Sequence, residues 1–258
     1  VSVYSEVEAS DELVQAPVRV IPSKIPLISG LVLIALTAII GMVVRHSSGM
    51  LQSEYRLDQW LNEFFAPTLN GPALFLNAVF GPIGAVLLLL VISAAVWLGR
   101  HSLRLAIRFL VTGGIGWVMA AVFKIIFQEP RPALLGLCPD VFEFGAMCPW
   151  LISETGTDAF PSGHTAITTS LVLAVALVAM RHSPARIAVL WGGSLLIIAV
   201  ALSRMYLGVH YLTDVIGGAL IATGTVLILD WFWERKDSVA YSSPKRASTT
   251  HPKLVPVN

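Results

Sequence analysis

Long apolar runs alternate with short polar stretches along this chain. The runs cover residues 26–44, 73–98, 103–127, 165–180, 185–202 and 212–233. A helix that rises about 1.5 Å per residue needs about 20 apolar residues to cross the hydrocarbon core, so the pattern predicts six transmembrane helices. The fourth run, TAITTSLVLAVALVAM, is short and reaches across only if the preceding PSGH turn belongs to the same helix. Between the first two runs, SEYRLDQWLNEFFAPTLN sets Leu57, Trp60, Leu61, Phe64 and Phe65 at helical spacing opposite Glu54, Asp58 and Glu63. That spacing predicts a short amphipathic helix, lying at the membrane surface or packed on the bundle. The expected organisation is all-α and polytopic: a polar N-terminal segment over 1–25, a membrane domain over 26–233, and a tail over 234–258 with the composition of a disordered segment. The N-terminal segment is too polar for a cleavable signal peptide, and the first run is expected to serve as an uncleaved signal-anchor.

Composition agrees with the pattern. Of 258 residues, 55% are hydrophobic and 13% charged, and the mean hydropathy is +0.76, which excludes an ordinary water-soluble domain. A net charge of +1 selects no partner, and no nucleic-acid partner is expected. The distribution of charge says more. Arg100, Arg104, Arg108, Arg181, Arg186, Arg235, Lys236, Lys245, Arg246 and Lys253 fall on one side of the predicted spans, with Arg19 and Lys24 at the N-terminal approach. Basic loops stay inside, so this side and both termini are predicted to be cytoplasmic. The opposite loops carry Glu54, Asp58, Glu63, Glu129, Asp140, Glu143, Glu154 and Asp158. The two cysteines, Cys138 and Cys148, lie on that outward side, where a disulfide can persist; two unpaired thiols are the alternative.

Three polar clusters stand at the predicted outer ends of the spans, where charge needs a partner or water. In KIIFQEPRP, Lys124 closes the third span and Arg131 follows between two prolines that stop the helix. In FPSGHTA, Pro161, Ser162 and Gly163 form a turn that opens the fourth span, whose first N–H groups can face an anion, and His164 sits in its first turn. In SRMYLGVHYLTD, His210 and Asp214 are one helical turn apart, so the carboxylate can orient the imidazole, and Arg204 ends the fifth span. Singly, each has a plainer reading: a snorkelling lysine, an N-cap serine, a structural His–Asp pair. Together they place two arginines, a lysine, a helix N-terminus, two histidines and a carboxylate on one side, a set that suits phosphoryl transfer.

On these residues the sequence resembles the type 2 phosphatidic acid phosphatase superfamily, related to vanadium haloperoxidases and bacterial acid phosphatases. Its signature, K-x6-RP, PSGH and SR-x5-H-x3-D, is matched by Lys124…Arg131-Pro132, Pro161-Ser162-Gly163-His164 and Ser203-Arg204…His210…Asp214. The resemblance implies an acid phosphatase/vanadium haloperoxidase-like helical core. It makes His210 the nucleophile, held by Asp214, and His164 the acid and then the base. Lys124, Arg131, Ser162, Gly163 and Arg204 would bind phosphate, with no cofactor and no metal. The expected substrate is a lipid phosphate: undecaprenyl diphosphate, phosphatidylglycerol phosphate or phosphatidic acid. The expected setting is the outer face of the plasma membrane, periplasmic or extracellular. A phosphotransferase using a second lipid or glycan as acceptor is the nearest alternative, and a non-catalytic anion or lipid transporter a more distant one. The oligomeric state is open.

Overall fold

The computed structural model describes residues 23–63, 67–132, 152, 154 and 156–241. Among these residues there is no strand. The helices are α1 (Ile25–His46), α2 (Ser48–Glu63), α3 (Pro67–Phe80), α4 (Pro82–Arg100), α5 (Leu103–Phe127), α6 (Gly163–Ala174), α7 (Arg186–Tyr206) and α8 (Leu212–Tyr241), with α6 continuing as a π turn over Val175–Ala179.

Five of these are long and apolar enough to cross a membrane, namely α1, α4, α5, α7 and α8, the last over Leu212–Ser238. Their outer faces are lipid-like: Ile83, Ile125, Trp191 and Leu195 are all exposed. The sixth expected span is the apolar helix Gly163–Ala179, which is shorter. At helical rise it reaches roughly 25 Å, less than the ~30 Å hydrocarbon core. It sits in the middle of the bundle, packed by α5, α7 and α8, and almost every residue from Gly163 to Ala174 is buried. Protein replaces lipid around it, so it need not match the bilayer in length.

The expected run over 73–98 is two helices. Gly81 leaves helical geometry with ψ 172° and Pro82 opens α4, so the chain breaks between α3 and α4. A Cβ on Gly81 would stand 2.7 Å from the Asn77 carbonyl oxygen. At the far end of α4, His101 adopts φ 47° and the Ser102 hydroxyl accepts from Leu105 N at 3.3 Å, so one helix closes and α5 opens within two residues. α8 continues to Tyr241, past the boundary expected at 233; the remainder of the tail, and Cys138 and Cys148, lie outside the described residues.

Small residues let the inner helices approach closely. Gly30 of α1 and Gly224 of α8 face each other, and Gly116 of α5 lies against Ser170 of α6 and Ala222 of α8. Phe109, Ile167, Leu171, Ala174, Val178 and Val200 fill one core; Ala120, Phe123, Phe127, Phe160, Ala166, Ile221 and Ala222 fill another, directly below the polar clusters. The basic end is tied by ion pairs: Arg108 reaches Asp237 at 2.9 Å and Asp230 at 3.4 Å, and Arg181 bonds Asp230 and Glu234.

Candidate active site

The three clusters meet at the end of the bundle opposite these ion pairs. α5 stops because Gln128 turns into the left-handed region at φ 48°, its N–H still bonded to the Lys124 carbonyl. The next residues then run beside 156–159, with Arg131 N donating to Gly156 O at 2.9 Å and Ala159 N to Glu129 O at 3.0 Å. This pairing joins the first cluster to the approach of the second. Ser162 N donates to Asp214 O at 2.9 Å, which joins the second to the third.

Arg131 is buried and reaches all three. Its Nε and Nη2 donate to the two Asp158 oxygens at 2.8 and 3.1 Å, and its Nη1 donates to Glu154 and, at 3.3 Å, to the Val209 carbonyl. Burial opposes the Arg131 cation, but Asp158 and Glu154 outweigh it and hold it firmly protonated. Reciprocally, the Arg131 hydrogen bonds keep Asp158 below the usual carboxylate range. Lys124 donates to the Asp158 carbonyl and lies 3.8 Å from its carboxylate. Arg204, wholly buried, donates to the Asn77 side-chain oxygen and, at 3.4 Å, to Glu154. Glu154 thus bridges the two arginines.

Gly163 starts α6 where a Cβ would come within 3.3 Å of Trp117 Nε1 and 3.9 Å of Lys124 Cε. Ser162 is the N-cap residue by position, yet its hydroxyl makes no capping bond and accepts from Thr165 at 3.2 Å. His164 Nε2 donates to the Asn77 carbonyl at 3.3 Å. Between α7 and α8 the chain turns at Gly208, φ 71°, a conformation that glycine adopts without strain. The turn delivers His210 with its Nδ1 3.1 Å from Asp214 Oδ2, which also accepts from Tyr211 N at 2.9 Å. The carboxylate as partner assigns the proton to Nδ1 and leaves Nε2 as the lone-pair nitrogen. Burial, then Lys124, Arg204 and Arg131, hold His210 well below its ordinary range, so the ring is neutral.

Every residue singled out in the three motifs, Lys124, Arg131, Ser162, Gly163, His164, Arg204, His210 and Asp214, is therefore part of one assembly. Four neighbours were not singled out. Asn77, a lone amide inside an apolar run, touches both Arg204 and His164. Spacing marks Glu154 only as one acid of an outer loop. It marks Glu129 and Glu54 the same way, and both are buried. Glu54 was expected on the outer face of α2; it points inward and accepts from Thr213 N at 2.9 Å, capping the start of α8.

Residues 104–237 match the family model of the PAP2 superfamily. Among curated proteins, none matches this chain. Among solved structures, the chain is similar to the crystal structure of the first transmembrane PAP2 type phosphatidylglycerolphosphate phosphatase from Bacillus subtilis. The TM-score is 0.64 at 20% identity, and the match covers 82% of this chain and 96% of that one. With more than half its length matched, this chain belongs to the PAP2 superfamily and is a multi-pass membrane phosphatase.

Proposed function

We propose that the protein hydrolyses a phosphomonoester or diphosphate of a membrane lipid at the outer face of the plasma membrane, through a phosphohistidine. The observation that carries this reading is the convergence of Lys124, Arg131 and Arg204 on the His210–Asp214 pair at one end of a lipid-facing bundle. His210 Nε2 attacks phosphorus as the bond to the lipid oxygen breaks, and His164 donates the proton that oxygen needs. His164 then takes a proton from the water that attacks the phosphohistidine, which frees inorganic phosphate and restores His210. The cations, with the Ser162 hydroxyl and the Gly163 amide, neutralise the equatorial oxygens throughout. Asp214 keeps the Nδ1 proton in place and stabilises the charge that develops on the ring.

Two features favour a lipid over a soluble ester. An apolar groove of about 340 Å³ runs between α3 and α7, lined by Leu69, Pro72, Ala73, Leu76, Ala199 and Leu202. The same two helices supply Asn77 and Arg204, so a chain in the groove would lead its phosphate into the site. The B. subtilis protein is described as acting on phosphatidylglycerol phosphate, and that lipid joins undecaprenyl diphosphate and phosphatidic acid as the substrates to test. The outward orientation rests on the basic residues at the opposite end.

The test is phosphate release by purified protein in detergent, with a chelator present, from these three lipids. We expect His210→Ala to lower kcat by about 10³-fold or more. Activity that survives this change, or that requires added divalent metal, refutes the mechanism. Label appearing on a second lipid in place of inorganic phosphate would make the protein a phosphotransferase.

A further inference from the structure

Behind His210 three carboxyl groups lie in the protein interior: Glu54 from α2 is 7% exposed, Glu129 just past α5 is 2%, and Asp214 in the first turn of α8 is 0%. Asp214 Oδ2 is accounted for by His210 Nδ1 and Tyr211 N. Among the described residues its Oδ1 is buried with no donor from any neutral or cationic group, and so are both oxygens of Glu129. The Glu129 and Asp214 carboxyls stand within hydrogen-bonding reach of each other. Two ionised carboxylates in that position would repel with no donor between them, and each would carry an unmet desolvation cost. The cation nearest to hand, Lys124, is turned to the Asp158 and Ala159 carbonyls. Among the described residues the acidic groups do not converge as a set that could hold a metal ion. A proton shared between the two carboxyls satisfies both with the groups at hand.

We infer that Glu129 is a carboxylic acid that donates its O–H to Asp214 Oδ1, and so is a positioning residue that holds Asp214 anionic with Oδ2 turned to His210. The direction of the Glu129 equilibrium agrees: burial, then Asp214, then Glu54 raise it far above the usual carboxylate range, and only Lys124 opposes. The backbone fixes the group in place. Gln128 turns the chain, the Glu129 carbonyl accepts from Ala159, and Pro130 restricts the residue before it. The charge-assisted bond to Asp214 is stronger than a neutral one, which suits an acid at this position.

The inference rests on His210 as nucleophile for its catalytic part only; the location of the proton can be read without turnover. In the full-length protein, Glu129→Gln keeps the shape and a donor, whereas Glu129→Leu removes the donor. We expect E129Q to retain activity within about threefold with an unchanged pH profile. We expect E129L to lose about 10- to 100-fold in kcat with little change in KM, as for a buried charged group stripped of a partner. The infrared spectrum of the wild type at about pH 8 should show the carbonyl band of a protonated carboxyl, lost in E129Q and kept in E54Q. Stability should follow the same sign. The folded state holds a proton that the unfolded chain releases, so the melting temperature falls as pH rises from roughly 5 to 9, less steeply in E129Q. A wild type without that band, or E129Q as impaired as E129L, overturns the inference. Full activity in E129L overturns the positioning role, and activity surviving His210→Ala overturns the nucleophile assignment while leaving the infrared result intact.

Discussion

Every nitrogen of the Arg131 guanidinium already has an acceptor, and the two terminal nitrogens of Arg204 reach Asn77 and Glu154, so the proposed phosphate cradle is preset by its own side chains. Asn77 is the least obvious part of this arrangement. Its side chain fixes Arg204 and its carbonyl receives His164, so one residue of α3 aligns the proposed phosphate ligand with the proposed proton donor. Asn77→Ala keeps the carbonyl and loses the side chain. Losing a hydrogen bond to a charged group should lower kcat/KM by about tenfold or more, most of it in KM, as measured by phosphate-release kinetics on the lipid panel. The motif residues were legible because each is a charge or histidine that an apolar run does not otherwise contain. Asn77, Glu54, Glu129 and Glu154 were not. Spacing can show that a loop is acidic, but which carboxyl folds inward depends on where Gln128 and Gly208 turn the chain.

At the scale of elements, the helix pattern was read almost completely, and its misses have local causes. The run over 73–98 is uniformly apolar, so hydropathy could not register the break that Gly81 and Pro82 make in it. The fourth run is short because α6 is surrounded by protein, and hydropathy does not distinguish lipid from neighbouring helices as the apolar partner. Packing between α8 and the PSGH turn is tight: a Cβ on Gly218 would stand 2.5 Å from the Ser162 carbonyl oxygen. Gly218→Ala should therefore push that turn off α8, lowering activity at least tenfold and stability by about 1–3 kcal/mol, read from turnover and thermal melting in detergent. Gly192 of α7 has open space where a Cβ would go, and Gly192→Ala should leave both unchanged or slightly raise stability.

Across the whole molecule the two ends do different things. One end is bound by Arg108, Arg181, Asp230 and Glu234, and the other gathers its cations around an imidazole. The bundle between them needs no charge, which is why the composition announced a membrane protein and the motifs an enzyme, each independently. Glu154 bridges Arg131 and Arg204. A carboxylate tethered beside the cradle competes with any free anion at a high effective concentration, and a freed phosphate has no tether of its own. Under the proposed function, Glu154 is placed to expel the product. Removing its charge in Glu154→Gln should make inorganic phosphate a tighter inhibitor, by about tenfold, in a titration of phosphate against turnover. Under that function the enzyme clears its site with an anion it already carries.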